Sequence, residues 1–205
     1  MGHREIPQGL DLCGVSVNVA VLVSGSGTLL QAILDNQDGH YRVSLVVADK
    51  ECPALDRARR AGIPTEVVAM QPDRDAWNAH LAEVVASASP DLVVSAGFMR
   101  ILGEAFLSRF EGKTINTHPS LLPAFPGANA VGDAMAYGVK VTGCTVHYVD
   151  AGMDTGEIIA QHAVAVQDGE TQDALHERIK QAERSQIVNL LRKATPAKNN
   201  GKVTF

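Results

Sequence analysis

The apolar residues of this chain fall into short runs that alternate with segments of helical spacing. Val17–Val23 is a nearly continuous run of β-branched residues, which is typical of a strand that is buried on both faces of a parallel sheet. Leu29, Leu30, Ile33 and Leu34 then recur at helical spacing. The same alternation predicts further strands and helices at residues 43–48, 53–61, 65–69, 76–88 and 91–96. We therefore expect right-handed βαβ crossovers and a parallel sheet.

The pattern changes in the second half of the chain. The predicted elements there are a strand at 114–118, a helix at 129–137, strands at 144–149 and 158–166, a long helix at 171–191 and an edge strand at 203–205. The two strands that follow the first helix are expected to pair antiparallel at the far side of the sheet. Residues 1–16 are interpreted as a loose N-terminal extension. The prediction is a single-domain, Rossmann-like α/β fold over residues 17–205, with a mostly parallel sheet and helices on both faces.

Composition and charge narrow the class of protein. The chain is 45% hydrophobic and 20% charged, with a net charge of −5, which is ordinary for a soluble globular protein. No basic field of the kind that binds nucleic acid or an anionic membrane is expected, and no apolar run is long enough to span a bilayer. Cys13, Cys52 and Cys144 lie far apart, so we expect a reducing, cytoplasmic setting with neither disulfides nor a metal site.

The stretch at residues 114–127 holds the first candidate chemistry. Asn116 and His118 are two positions apart on the predicted strand, so their side chains face the same way. One can donate an amide hydrogen bond, and the other can carry a proton near neutral pH. The proline-rich loop that follows is stiff and suits the wall of a substrate site. A buried strand end whose polar side chains tie down a loop remains an alternative interpretation.

A second candidate is the glycine turn at residues 24–28, between the first strand and its helix. Glycines let backbone N–H groups approach an anion, and a helix N-terminus favours negative charge, so a phosphate is expected here. The alternative is a tight turn without a ligand. The turn lacks the P-loop pattern, and Leu30 occupies the third glycine position of the dinucleotide fingerprint. Asp49, at the end of the second strand, is expected to be a solvated strand-end residue.

Asp154 lies in a glycine-flanked loop that can return over the strand bearing His118. A carboxylate beside His118 would favour the imidazolium form, as a general acid at neutral pH requires. The alternative is an Asx-turn residue. His147 is expected to support the structure rather than perform chemistry. The remaining histidines are predicted to be surface residues: His3, His40, His80, His162 and His176.

Several motifs then occur in a familiar order. They are Ser-Gly-Ser-Gly-Thr at 24–28, Gly-Phe-Met-Arg-Ile-Leu at 97–102, Asn-Thr-His-Pro-Ser-Leu-Leu-Pro at 116–123, Gly-Cys-Thr-Val-His at 143–147 and Asp-Thr-Gly at 154–156. On these motifs, roughly residues 17–192 resemble the phosphoribosylglycinamide formyltransferase family, the folate-dependent transformylases of purine synthesis. The resemblance makes residues 17–205 a formyltransferase catalytic domain with the formyltransferase fold.

The resemblance implies direct transfer of a formyl group from 10-formyltetrahydrofolate to the amine of phosphoribosylglycinamide. Asn116 would stabilise the oxyanion, His118 would assist as imidazolium and deliver a proton to the leaving folate nitrogen, and Asp154 would keep His118 charged and help shuttle protons. No metal and no covalent enzyme intermediate are implied. The implied partners are these small molecules alone, with no nucleic acid and no membrane, and the implied assembly is a monomer or a homodimer.

The binding residues are also carried over from the resemblance. Those implied for the glycinamide substrate and its phosphate are Gly27, Thr28, Leu29 and Glu183, and those implied for the folate are Arg74, Met99, Arg100, Ile101, Leu102, Asn116, Asp150 and Asp154. Two positions depart from the family pattern. Leu29 stands where many members have Asn, so phosphate contact there would come from its backbone alone. Val131 stands where many have His, so any role of that His in substrate binding is missing or moved.

Other functions stay open at this point. A methionyl-tRNA formyltransferase would carry a further basic domain. A formyltetrahydrofolate hydrolase would carry an N-terminal regulatory domain. A sugar-amine formyltransferase would share the same core motif. From another class, a nucleotide-binding module or a dehydrogenase could use the first βαβ unit, although the missing third glycine argues against it.

Overall fold

The computed structural model describes residues 16–198 and 201–205. Its main sheet has seven strands: β1 (Val17–Val23), β2 (Tyr41–Ala48), β3 (Thr65–Val67), β4 (Leu92–Ser95), β5 (Thr114–His118), β6 (Val141–Tyr148) and β7 (Ile158–Ala165). The helices are α1 (Thr28–Asp35), α2 (Pro53–Arg60), α3 (Arg74–Ser87), α4 (Glu104–Leu107), α5 (Ala130–Tyr137) and α6 (Gln172–Leu191).

Capping residues explain where three of the helices begin or end. The carboxylate of Asp73 accepts hydrogen bonds from the first-turn N–H groups of α3, and the Thr171 hydroxyl accepts one at the start of α6. Both side chains satisfy N–H groups that have no partner within the helix. Gly138 ends α5 in the left-handed conformation, with φ of 82°, which glycine adopts without strain.

The strand order is β3-β2-β1-β4-β5-β6-β7. The five strands from β3 to β5 in this spatial order all pair in parallel with their neighbours. Strand β6 pairs antiparallel with both β5 and β7. From β1 the chain proceeds to β2 on one side and later returns to β4 on the other, so the two connections leave a crevice between β1 and β4. In open α/β sheets, ligands bind in this crevice at the carboxyl ends of the strands.

Alternate residues of β1 face two separate helix layers. Val19 and Val21 pack with α1, α2 and α6, whereas Ala20 and Leu22 pack with α3 and α4. The strand is therefore apolar on both faces, as its sequence predicts. The predicted fold, with a mostly parallel sheet covered by helices on both faces, is confirmed.

The predicted edge strand at residues 203–205 is wrong. This segment forms a single isolated bridge between Thr204 and Thr195, and the Val203 N–H donates to the carbonyl of Gly112. Val203 is buried, so the segment packs its apolar side chain against the core instead of extending the sheet. The boundaries of several strands also differ by two or three residues; β2 and β6, for example, begin at Tyr41 and Val141.

One prediction about the chain stays untested, and two searches of the described residues found nothing. Residues 1–15 and 199–200 lie outside it, so the division of the chain at residue 16 stays a prediction. No helix in the described part of the chain combines the length and apolar character that a bilayer crossing requires. Across residues 16–198 and 201–205, no cluster of three or more His, Cys, Asp or Glu residues could hold a metal ion.

Candidate active site

The predicted site residues gather at the carboxyl ends of β1, β4 and β5. Asn116 and His118 lie on β5, where the register places Asn116 opposite His147 and His118 opposite Thr145 on β6. The loop at 150–156 follows β6 and brings Asp154 to the same place.

His118 is buried, with 5% of its surface exposed, and polar atoms contact both of its ring nitrogens. Its Nε2 lies 2.8 Å from the carbonyl oxygen of Phe125, and its Nδ1 lies 3.4 Å from Asp154 Oδ2. A carbonyl oxygen can only accept, so Nε2 donates to Phe125, and Nδ1 faces the carboxylate of Asp154. These two contacts hold the ring of His118 between the proline-rich loop and the loop at 150–156.

Asp154 joins the proline-rich loop to His118 and lies near His147. Its Oδ2 accepts a hydrogen bond of 2.8 Å from the Gly127 N–H, and its Oδ1 lies 3.7 Å from His147 Nε2. The Asx-type turn in this loop belongs to Asp150 instead, whose Oδ1 accepts from the Gly152 N–H at 3.1 Å. The carboxylate of Asp154 is thus engaged across the site rather than within its own turn.

His147 fixes the amide of Asn116. His147 Nδ1 lies 2.8 Å from the Tyr148 carbonyl and must donate to it, while Nε2 lies 3.3 Å from Asn116 Nδ2. Burial lowers the pKa of His147 and outweighs the opposing effect of the Asp154 charge. A neutral ring with its proton on Nδ1 accepts one amide hydrogen of Asn116 at Nε2. The second amide hydrogen remains available to the adjoining cavity.

That cavity, here called the first cavity, lies between β4, β5 and the loop at 150–156. Six residues predicted for the folate line it: Arg100, Ile101, Leu102, Asn116, Asp150 and Asp154. The remaining two do not. Met99 lines a neighbouring cavity, and the Arg74 guanidinium donates to the Ile101 carbonyl at 2.9 Å, so Arg74 lies beside the segment that forms the wall.

Asp49 anchors the same wall, and its expected role as a solvated residue is wrong. Its side chain is 1% exposed, and Oδ2 lies 2.6 Å from Arg100 Nε. A buried charge is stable only when an opposite charge pairs with it. Arg100, in the segment that follows β4, supplies the positive charge that pairs with Asp49. The pair ties the end of β2 to the segment at residues 99–102.

The second cavity is lined by the glycine turn, the residues after β4 and β5, and one face of α6. Gly27 has φ of 72°, and a Cβ there would lie 2.6 Å from that of Ala54, so only glycine fits. No side chain caps the start of α1, which leaves its first N–H groups free to bind an anion. Gly27, Thr28 and Leu29 all line this cavity, and their binding of a phosphate stays a prediction.

Glu183 faces the second cavity from α6 and is 9% exposed. Burial raises its pKa from 4.5 to about 7, against a hydrogen bond with Thr117 and the positive charges of Lys180 and Arg184. Thr117 lies between Asn116 and His118 in the chain, so Glu183 contacts the strand that carries the other two predicted groups. His176 also lines this cavity and is half-buried, so its prediction as a surface residue is wrong.

Comparison with known proteins identifies the family. The sequence model of the family described as "Formyl transferase" matches residues 17–191. The chain belongs to the formyl transferase family. A phosphoribosylglycinamide formyltransferase of Mycobacterium tuberculosis (strain H37Rv) is 56% identical over 174 residues, which cover 83% of this chain and 81% of that protein.

Two more distant formyl transferase relatives align with this chain over nearly their whole lengths. The phosphoribosylglycinamide formyltransferase of Bacillus subtilis (strain 168) is 38% identical over 89% of this chain and 96% of its own. The crystal structure of glycinamide ribonucleotide transformylase 1 from Symbiobacterium toebii has a TM-score of 0.86 and 40% identity, covering 97% of this chain and 98% of that one. The resemblance read from the motifs is confirmed.

Sequence reasoning missed several contacts of this candidate site. The position of His147 opposite Asn116 depends on strand register, which no local pattern reveals. The pairing of Asp49 with Arg100 joins residues 51 positions apart. Lys180 and Arg184 line the second cavity, and their spacing on one helix face with Glu183 is a signal that the sequence did contain.

Proposed function

We propose that this chain transfers the formyl group of 10-formyltetrahydrofolate to the amine of phosphoribosylglycinamide, yielding formylglycinamide ribonucleotide and tetrahydrofolate in purine synthesis. The observation that carries the proposal is the arrangement of two cavities around one strand end. Asn116 lines the first cavity, and its neighbour Thr117 lines the second. An acceptor in one cavity and a donor in the other would therefore meet beside Asn116, His118 and Asp154.

The first cavity suits the folate. Ile101 and Met153 line it with 63% and 60% of their surfaces exposed, and large exposed apolar side chains at a cavity are typical of a binding surface. A flat heterocycle would cover them, while backbone groups of residues 99–102 and of the loop at 150–154 would bond its polar edge. The folate would supply the formyl group, and the chain's own residues would bind the substrates, orient them and move the proton.

The second cavity suits the acceptor. The N–H groups at the start of α1 would bind the phosphate, and Glu183 would bind the substrate amine or its ribose. A carboxyl group whose pKa is about 7 can accept a proton from an ammonium group near neutral pH, so Glu183 favours the free amine that the attack requires.

The proposed mechanism has one bond formed and one broken. The amine nitrogen bonds to the formyl carbon, and the bond from that carbon to the folate nitrogen breaks. Asn116 donates its free amide hydrogen to the oxygen where negative charge develops, which is typically worth about 3–4 kcal/mol. The proton lost by the amine passes by way of Asp154, which lines the cavity, and His118, which lies beside that carboxylate, would deliver it to the leaving nitrogen.

The setting of this reaction is also a proposal. We place the enzyme in the cytoplasm as a monomer or homodimer that acts on small molecules alone. Cys52 and Cys144 are free thiols, which is compatible with a reducing compartment.

A spectroscopic assay of formyl transfer tests the proposal. Purified protein is mixed with phosphoribosylglycinamide and a 10-formyl folate, and the deformylated folate is followed by absorbance. We expect turnover only when the glycinamide is present. Turnover without an acceptor would indicate a hydrolase. Transfer to an amino-sugar nucleotide in place of the glycinamide would show that the acceptor is wrong.

The same assay tests the role of Asp154. Asp154→Asn keeps an oxygen that can accept from the Gly127 N–H but removes the charge beside His118, so we expect kcat to fall roughly 10²–10⁴-fold with the fold intact. Asp168→Asn is the matched control, because the Asp168 side chain is 97% exposed. Equal kcat values for the two variants would remove Asp154 from the mechanism.

A further inference from the structure

Ser95 is a polar residue at the end of an otherwise apolar strand. The residues before it on β4 are Leu92, Val93 and Val94, and all four are buried. Ser95 has only 6% of its surface exposed, and it lines the first cavity. The part of Ser95 that is exposed therefore faces this cavity rather than the outer surface of the protein.

The hydroxyl of Ser95 has no hydrogen-bond partner within the described chain, whereas the other two buried serines in that part of the chain each have one. Ser24 Oγ accepts from the Met99 N–H at 2.9 Å, and Ser120 Oγ donates to the Ala124 carbonyl at 2.6 Å. Covering a hydroxyl without pairing it is unfavourable. A ligand that pairs with Ser95 is therefore favoured over one that only covers it.

The strand register places Ser95 beside the reacting groups. Ser95 pairs with Asn116 on β5, and Asn116 pairs with His147 on β6. Residues paired in this way project from the same face of a sheet, and all three line the first cavity. A hydroxyl, an amide and an imidazole thus form a row across one face of the sheet.

Ser95 lies between two parts of the proposed folate site. The chain after it forms the wall at residues 97–102, where Phe98 and Leu102 are buried and apolar and where backbone groups would bond the polar edge of the heterocycle. On its other side is Asn116, which would meet the formyl oxygen. The part of a tetrahydrofolate between its polar edge and its formyl arm is the reduced ring, which carries N–H groups. A serine hydroxyl can accept a hydrogen bond from such a group.

We propose that the Ser95 hydroxyl accepts a hydrogen bond from a ring N–H of the reduced folate, and that it thereby makes the first cavity select tetrahydrofolates over analogues with carbon at those ring positions. This inference rests on the proposed function and names a residue that sets its donor specificity. Ser95 would act on binding of the donor and not on the chemical step, because the N–H groups belong to the ring and not to the formyl arm.

The test compares two formyl donors in three proteins: wild type, Ser95→Ala and Ser108→Ala. The donors are 10-formyltetrahydrofolate and 10-formyl-5,8-dideazafolate, in which carbon replaces both ring nitrogens. Ser108→Ala is the control, because Ser108 is exposed and lines neither cavity. With phosphoribosylglycinamide as acceptor, we expect Ser95→Ala to raise KM for the tetrahydrofolate roughly five- to tenfold. The KM for the dideaza donor should stay unchanged or fall, and kcat should stay nearly unchanged with both donors.

Binding of the deformylated folates separates this inference from the proposed function, because it requires neither an acceptor nor turnover. In calorimetry, Ser95→Ala should bind tetrahydrofolate several-fold more weakly than wild type and Ser108→Ala do, and should bind 5,8-dideazafolate as they do. That result would support the inference even if the protein formylated another acceptor. An equal loss on both folates, no loss on either, or an equal fall of kcat with both donors would overturn it, while transfer by wild type would leave the proposed function standing. A wild-type protein that binds neither folate would overturn both.

Discussion

Glu183 is the residue whose ionisation the fold changes most clearly among those of the site. Burial raises its pKa from 4.5 to about 7, so the folded protein holds this proton over a pH range in which the unfolded chain has released it. Where the folded state binds more protons than the unfolded state, the free energy of unfolding falls as pH rises. Glu183 therefore reduces stability progressively between about pH 4.5 and pH 7.

Glu183→Gln should remove this pH dependence. An amide has no proton to release, so we expect the variant and wild type to unfold at similar urea concentrations at about pH 4, below the unfolded pKa. Near pH 8, the variant should be more stable by up to about 3 kcal/mol, since one pKa unit corresponds to about 1.36 kcal/mol. Comparing the two proteins cancels the contributions of all other titrating groups. A stability difference that stays constant with pH would contradict the raised pKa of Glu183.

The residue scale also shows what local pattern can and cannot reveal. The pairing of Asn116 with His118 on one strand follows from their spacing, and the structure places both at the same strand end. Their link to Asp154 was one of two interpretations of the glycine-flanked loop, the other being an Asx turn, because the loop at 150–156 returns to this strand only through tertiary structure. Asp49 was misjudged for the same reason, since its partner Arg100 belongs to another βα unit.

At the scale of elements, one ion pair connects β2 to the wall of the first cavity. Arg100 Nε contacts Asp49 Oδ2, and the buried Asp49 Oδ1 has no hydrogen-bond partner within the described residues. Removing Arg100 would leave a buried carboxylate without a counter-charge. Such a loss costs about 3–5 kcal/mol when both partners are buried, and less here because the Arg100 side chain is 38% exposed.

Arg100→Met should therefore lower the free energy of unfolding by about 2 kcal/mol. Adding Asp49→Asn to this variant should recover part of the loss, because the unpaired charge is then gone. Urea denaturation of the single and double variants measures both effects. Arg109→Met is the control, because Arg109 is exposed and forms no salt bridge within the described chain. A double variant less stable than Arg100→Met would show that charge pairing is not the cause.

The elements themselves followed from sequence where local chemistry decides. Asp73, Thr171 and Gly138 mark helix ends that the structure confirms. The failure at 203–205 has a tertiary cause: both edges of the sheet are other strands, and buried Val203 directs this segment onto the core. The antiparallel pairing of β6 with β7 was expected and is confirmed. The antiparallel pairing of β5 with β6 was not expected, because pairing and register depend on contacts between distant parts of the chain.

At the scale of the whole molecule, the sheet places two cavities on either side of one strand end. The crevice between β1 and β4 holds the second cavity, and the first cavity lies on the other side of Asn116 and Thr117. Burial, together with the nearby charge of Glu183, raises the pKa of the Cys144 thiol to about 12. A protonated thiol is a poor nucleophile, so Cys144 is unsuited to carry the formyl group.

Formyl transfer should therefore require both substrates on the protein together. Incubation with the 10-formyl folate alone should leave the mass of the intact protein unchanged, and each ligand should raise Tm in the presence of the other. A ligand present at about 100 times its Kd stabilises the fold by about 2.7 kcal/mol, and two ligands in separate cavities should stabilise it by at least the sum. A mass increase of one formyl group before the acceptor is added would instead establish a formyl-enzyme. The two cavities share a wall at Asn116 and Thr117, so both ligands can bind together only if each stays within its own cavity. Mutual exclusion of the two ligands would therefore show that their binding sites overlap.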